Sequence, residues 1–546
     1  MFWLIEDNEQ LKSFENYCKG DAFIEIIPYD NREHPTQNNI CAIYIRPLNS
    51  TKGYVLTISH SETLNMDIDV VKRVINNIDN VYVRDKKEFL HYLILKNLFD
   101  TTLNSPTYIP ELTKTHYYFH NKYTNKKDIN RIIPIVKHYE YCEKIFNDLK
   151  DKINEPINEF YNSKATVVFN AMERSGIRVN REKFESHFHP IDRDITYTQY
   201  NFKTTTTRPS NKFGGVNYAA LNKDNGCRES FIPRNNKFIE LDISAYHPTL
   251  LGLLVDYKFD DKDIHESFAK MYGVNYKKSK EITFKQLYGG VFEQFKELEF
   301  FKKVQIYVDD IWEKFNKEGY IECPISKHVY RKDKLSANGN EMKPQKLLNY
   351  ILQNLETAMN IRILWEMFKS LKGRKTKLVL YTYDSFLFDF DNSEEDLIEE
   401  IKQIINNNKL QIKESYGNTY NKLFCTFTTL EELDPLISRL TSTYNIMYNK
   451  IFVLHVKSND EYVCTYNIDQ ANLSNLPSNT ILVHRKKESN TLYTINALNE
   501  LIKRLNGGVV DTKFPITWEH YRNTILLTQR DELKELKTKI YKILEV

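Results

Sequence analysis

Residues 377–390 (Lys-Leu-Val-Leu-Tyr-Thr-Tyr-Asp-Ser-Phe-Leu-Phe-Asp-Phe) are two apolar runs split by a polar Tyr383-Asp384-Ser385 break. So dense a set of β-branched and aromatic residues around one short break predicts a β-hairpin with a carboxylate at its tip. A second apolar run, residues 237–243, brings Asp242 to its end, and Pro248 then punctuates a helix start. Two carboxylates at strand ends can be held rigidly on one face of a sheet. Taken singly, each aspartate is more often a turn residue or helix cap. What lies between them points to chemistry.

Residues 280–290 place Lys280, Phe284 and Tyr288 at i, i+4 and i+8, along one helical face, before Gly289 and Gly290 end the helix. A cation for triphosphate charge, an aromatic for the sugar and a tyrosine near the template base suit an incoming nucleotide. Nucleotidyl transfer uses two divalent ions held roughly 3.5–4 Å apart. Mg²⁺ takes oxygen ligands and keeps much of its water, so two aspartates suffice to hold it.

Lys280-x-x-x-Phe284-x-x-x-Tyr288-Gly289 resembles motif B of family A DNA polymerases, the group of bacterial DNA polymerase I and its phage relatives. Asp242-x-Ser244 is similar to their motif A, and Tyr383-Asp384-Ser385 occupies the place of motif C. Other segments resemble the family in the same order: Met172-Glu173-x-x-Gly176, Thr205-x-Thr207-Arg208-Pro209, Arg228-Glu229-Ser230-Phe231, Asn349-x-x-x-Gln353 and Tyr416-Gly417-Asn418-Thr419-Tyr420. Together they span roughly residues 165 to 425.

The resemblance implies a DNA-directed DNA polymerase that extends a primer 3′ end with dNTPs on a primer–template duplex, using two Mg²⁺ ions. Asp242, Asp384 and the backbone carbonyl of Ile243 are the implied metal ligands, and Lys280 is the implied catalytic cation. Tyr246, His247, Lys277, Lys280, Phe284 and Tyr288 are the implied nucleotide pocket. Arg208, Asn349 and Gln353 are the implied duplex contacts.

The pattern departs from the family in places. Ser385 stands where motif C carries a further carboxylate. His247, beside Tyr246, replaces the glutamate that screens out ribose, so either residue is a candidate gate. Tyr276 replaces an arginine whose triphosphate role Lys277 or Lys278 can take. The segment from Met172 to Arg208 is too short for a full thumb.

The expected architecture is α+β and multidomain, for which 546 residues leave ample room. Residues 1–155 read as α/β, with strands near 22–28, 41–46 and 54–58 and helices over 86–99 and 133–152, and the family resemblance implies that they form a ribonuclease H-like, exonuclease-type domain. Its Asp-x-Glu strand keeps only Glu25, and Asp100 sits in a Phe-Asp-Thr segment, so the domain is expected to be silent. Residues 160–428 read as palm and fingers with a reduced thumb. Residues 430–546 read as a small α+β accessory unit, with strands near 450–457 and 480–485 and helices over 498–505 and 530–544.

Composition bounds the alternatives. Net charge is only +3, so a nucleic-acid surface must be a local patch. No apolar run nears the roughly 18 residues a membrane span needs. Seven scattered cysteines with no C-x-x-C pair fit a reducing, cytoplasmic setting, or the host cytoplasm for a phage enzyme. The Asn- and Lys-rich composition fits an AT-rich phage or mobile element replicating with processivity or replisome partners. The rival expectations are a single-subunit RNA polymerase, which also carries Asp-Ser in motif C, a primer-synthesising polymerase, and a non-catalytic nucleic-acid-binding relic.

Overall fold

The computed structural model describes residues 3–103 and 129–420, except the short stretches 213–215, 223–224, 260–262 and 337–340, and only five strands beyond residue 420. The first unit is a six-stranded mixed sheet. Its strands run in the order Trp3–Ile5, Tyr54–Thr57, Ile40–Pro47, Ala22–Pro28, Val81–Val83 and Leu98–Asp100. Ala22–Pro28 shows why it is central, since period-2 alternation sends its side chains to two cores. Ala22 and Ile24 join the core under helices Asn8–Tyr17 and Ile68–Ile75. Phe23 and Ile27 join the core under helix Ile135–Leu149.

One expectation fails here. Residues 86–99 do not form one helix: Lys86–Phe89 makes a single turn capped by Asp85, and Leu98–Asp100 is an edge strand. The apolar spacing of Phe89, Leu90 and Leu93 mimics a helical stripe, but the helix stops at Phe89 and the leucines line a turn packed on the sheet core.

The second unit begins in a π-helical turn, Phe160–Ala165, continuous with helix Thr166–Ser175. Gly176 then reverses the chain at φ 59°, where a Cβ would lie 2.6 Å from Ile195 Cγ2, so only glycine fits. Between Gly176 and Arg208 lie the seven-residue helix Arg181–His187 and short strands, with no longer helix.

The main sheet is antiparallel. Lys377–Thr382, Ser385–Phe390, Lys237–Ile243, Ile412–Gly417 and Phe424–Phe427 follow one another across it. The strands Tyr462–Tyr466, Ile451–Val456, Thr480–His484 and Ile525–Leu526 extend it without a break. The helices expected over 498–505 and 530–544 lie outside the described residues.

Behind the sheet runs helix Pro344–Ser370, 27 residues long and buried on most sides. At about 1.5 Å per residue it spans about 40 Å, enough to back the whole site. Proline at its first turn starts it without losing an intrahelical hydrogen bond. No helix among the described residues is long and apolar enough to cross a membrane.

Buried charges join the two units. Glu173 takes Lys87 Nζ at 2.5 Å, His91 Nε2 at 2.8 Å and the Tyr200 amide at 2.6 Å. Burial pushes the Glu173 carboxyl up, but Lys87 and His91 more than offset this and hold it below the usual range. Lys203 Nζ lies 3.4 Å from Asp100 and 3.8 Å from Asp85.

Candidate active site

The hairpin turn is two residues long: Thr382 faces Ser385 across it, leaving Tyr383 and Asp384 at the tip. Tyr383 takes the left-handed conformation at φ 59°, which costs a non-glycine residue energy and persists only where its surroundings hold it. Three contacts hold it. Asn360 Nδ2 donates to the Tyr383 carbonyl at 2.6 Å, the Arg208 guanidinium lies 3.8 Å above its ring, and the Asp384 amide donates to Thr382 O at 2.7 Å.

The strand Lys237–Ile243 lies beside the hairpin, with Asp242 opposite Ser385. Just past the ladder, the Ile243 amide donates to the Asp384 carbonyl at 2.7 Å. The two aspartates thus stand on neighbouring backbones tied by that bond. Asp384 is exposed and Asp242 half-buried. On the other side Lys413 stands opposite Asp242. Partners opposite in an antiparallel ladder share a face, so Lys413 is a cation that motif matching missed. Asp389, farther along the hairpin, accepts from the amides of Arg234 and Asn235 and serves that turn.

After Asp242 the chain turns through Ala245 (φ 49°) directly into helix Tyr246–Leu254. The structure separates the two gate candidates. Tyr246 is buried, and its hydroxyl donates to Asn360 Oδ1 at 2.8 Å. His247 instead meets the helix that carries Tyr288, with Nδ1 2.6 Å from the Tyr288 hydroxyl. Its Nε2 lies 2.6 Å from Glu356 Oε2.

Helix Tyr276–Gly289 is capped by Asn275 and closed by Gly290 at φ 103°. It buries Ser279, Thr283, Gln286 and Leu287, and turns Lys277, Phe284 and Tyr288 outward, with Lys280 half-buried. The Phe284 and Tyr288 rings stack at 6.1 Å. Lys280 Nζ lies 4.8 Å over the Tyr276 ring, so Tyr276, standing in for the expected arginine, carries the lysine. Burial pushes the Tyr288 phenol up to about 12; Glu356 and Asp384 add to the rise and Arg208 opposes it. The aromatic face and the hairpin tip thus share one electrostatic environment.

Arg208 follows a strained turn. Thr207 is β-branched, fully buried and at φ 61°, and Asn354 Nδ2 holds its hydroxyl at 2.9 Å. Arg208 Nη2 lies 3.4 Å from Glu356 Oε1. Arg208 Nε and Asn349 Oδ1 are buried atoms with no hydrogen-bond partner. Native buried polar atoms are rarely left so, which marks both as places a ligand would satisfy.

Asn349, Gln353, Glu356 and Asn360 fall at i, i+4, i+7 and i+11, one stripe of the long helix. The first two were legible by resemblance. Glu356 and Asn360 were missed, although continuing the stripe reaches both.

Among the described residues no three His, Cys, Asp or Glu side chains form a metal-holding group. The site offers two carboxylates and nearby backbone carbonyls, an all-oxygen donor set that fits a hard divalent ion retaining water.

The fold is similar to that of the POL domain of Pol1 from M. smegmatis, solved in complex with DNA primer-template and dNTP. The match has a TM-score of 0.57 at 11% identity, over 77% of this chain and 99% of that one. No family model matches the sequence. No curated protein matches it either. The chain thus has the fold of a polymerase domain, in a sequence far diverged from it.

Proposed function

We propose that this chain is a DNA-directed DNA polymerase of the family A type, extending a primer 3′ end by nucleotidyl transfer. One observation carries the reading: the Ile243–Asp384 backbone bond sets the two aspartates side by side, and Asp384 acts electrostatically on Tyr288 of the Lys-Phe-Tyr helix. Asp242, Asp384 and the Ile243 carbonyl would hold Mg²⁺. When bound, the metal supplies Lewis-acid stabilisation of the attacking hydroxyl and the leaving pyrophosphate. The chain's own residues do the rest. Lys280, with Lys277 nearby, draws the triphosphate and offsets charge as it grows. Phe284 and Tyr288 form a flat wall for base and sugar. His247, held against Tyr288, meets the sugar edge and is the residue we assign as the ribose gate. Arg208, Asn349 and Gln353 grip the duplex through contacts that need not read sequence.

The amino-terminal unit is proposed to be a silent nuclease-type domain. Glu25, the carboxylate on its central strand, is buried against Arg84 at 2.8 Å. Asp100 is fully buried and takes the Lys86 amide, Thr102 and Lys203. Carboxylates so occupied are not open to metals. The short segment between Gly176 and Arg208 supports a reduced thumb, with grip supplied by residues beyond 430 or by a replisome partner. A phage or mobile-element replicative role fits the composition.

The test is primer extension on a DNA template with Mg²⁺, offering dNTPs or rNTPs. Extension with dNTPs, lost in Asp384→Ala, is expected. Extension with rNTPs alone would move the reading to the RNA polymerase that Ser385 also fits, and unchanged properties in Asp384→Ala would leave a relic.

A further inference from the structure

Glu356 has no part in the chemistry above, yet its two oxygens reach two different parts of the site. Its side chain is 2% exposed. Oε2 meets His247 Nε2 at 2.6 Å, beside the proposed nucleotide pocket. Oε1 meets Arg208 Nη2 at 3.4 Å, beside the proposed duplex contact. A carboxylate this deep is costly unless paired, so both partners matter to it.

The two links differ in kind. A carboxylate accepts, so His247 presents Nε2–H to Glu356 and turns Nδ1 to the Tyr288 hydroxyl at 2.6 Å. Glu356 thereby fixes the ring orientation of His247. The link to Arg208 is looser. It is long, the guanidinium rests on the Tyr383 ring at 3.8 Å, and Nε is buried without a partner. A guanidinium with an unspent donor and a stretched ion pair is ready to exchange that pair for a ligand acceptor.

We infer that Glu356 is a positioning residue coupling the duplex contact at Arg208 to the sugar gate at His247. When Arg208 turns its fork to the duplex, Glu356 is left with His247 as its charged-group partner. The charge-assisted bond to His247 then tightens, and the His247–Tyr288 pair is pinned where the nucleotide sugar must pass. Duplex binding thus rigidifies the gate before the nucleotide arrives. The inference rests on the polymerase reading, and names a carboxylate for which that reading has no use.

The test is single-nucleotide incorporation by the full chain at saturating duplex, comparing wild type, Glu356→Gln, Arg208→Ala and the double variant with dNTP and rNTP. Glu356→Gln is expected to lower the preference for dNTP over rNTP by about tenfold, a size typical of directly coupled residues. Arg208→Ala is expected to raise the nucleotide KM in wild type but not in the Glu356→Gln background. A merely structural glutamate would change neither the sugar preference nor that non-additivity. Additive effects on KM, or an unchanged sugar preference, would overturn the inference while leaving the polymerase intact. If wild type extends no primer at all, the polymerase reading falls instead. Should Glu356→Gln fail to fold, His247→Gln breaks the same link from its other end, and the Arg208 effect on KM must vanish there too.

Discussion

The neighbouring residues Tyr246 and His247 could not be told apart by motif position, and their partners now separate them. Tyr246→Phe removes the donor to Asn360 Oδ1 and is expected to cost about 1–2 kcal/mol of stability without altering sugar preference. His247→Ala is expected to lower the dNTP preference by about tenfold or more, because it opens the space beside Tyr288. Stability by urea titration and paired kcat/KM values check both, and a reversed pattern would make Tyr246 the gate. Buried histidines elsewhere set an acid limit. Burial pushes His328 down to about 3, and burial with help from Lys280 pushes His265 to about 4. Both are neutral when folded and take a proton more readily when unfolded, where the ordinary value is about 6.5. Their contribution is full above about pH 6.5 and declines as pH falls towards 4, by at most about 1.4 kcal/mol per pH unit for each. Urea midpoints between pH 7.5 and 4.5 should fall less steeply in His328→Phe than in wild type.

At the scale of elements, strands were the legible part. The runs 237–243 and 377–390 are apolar enough that no other structure competes, and their two aspartates came with them. The stretch 86–99 was illegible because leucines at helical spacing look alike whether they line a helix or a turn over a core. Glu356 was illegible for a different reason. An acidic residue in a long helix normally marks a solvated face, and only the surrounding sheet and turns show that this one is inside. Asn360 belongs with it, since one amide serves Tyr246, Tyr381 and the strained Tyr383 carbonyl. Asn360→Ala leaves three buried groups short of a partner and is expected to cost about 2–4 kcal/mol. It should also slow extension, because the hairpin tip carrying Asp384 loses its anchor. Thermal melts and extension rates check this, and a variant as stable and as active as wild type would show that the turn holds itself.

For the whole molecule, the amino-terminal unit is fastened to the second unit by buried ion pairs. Removing residues 1–155 takes Lys87 and His91 from Glu173, which keeps the Tyr200 amide, and Asp85 and Asp100 from Lys203. Breaking one buried pair costs about 3–5 kcal/mol, so losing both would consume much of a domain's stability. The truncated chain is expected to be insoluble or unfolded, which expression and circular dichroism check directly; a soluble, cooperative remainder would refute it. The silent-nuclease expectation came from what the first strand lacks. That the same layer is fastened so firmly was not legible, because Lys87 and Lys203 look like any surface lysine in a chain rich in them.

The fastening also bears on synthesis. Lys87 and Glu173 lie 86 residues apart, and Asp100 and Lys203 lie 103 apart. At translation rates of about 5–20 residues per second, the first layer leaves the ribosome roughly 5–20 s before its counter-charges exist. In that interval Lys87 has Asp85 and Glu88 of its own layer beside it, but not the Glu173 that bonds it in the folded chain. The first layer is therefore expected to close fully only once the layer that follows has been made, so that the two halves mature as one nascent unit.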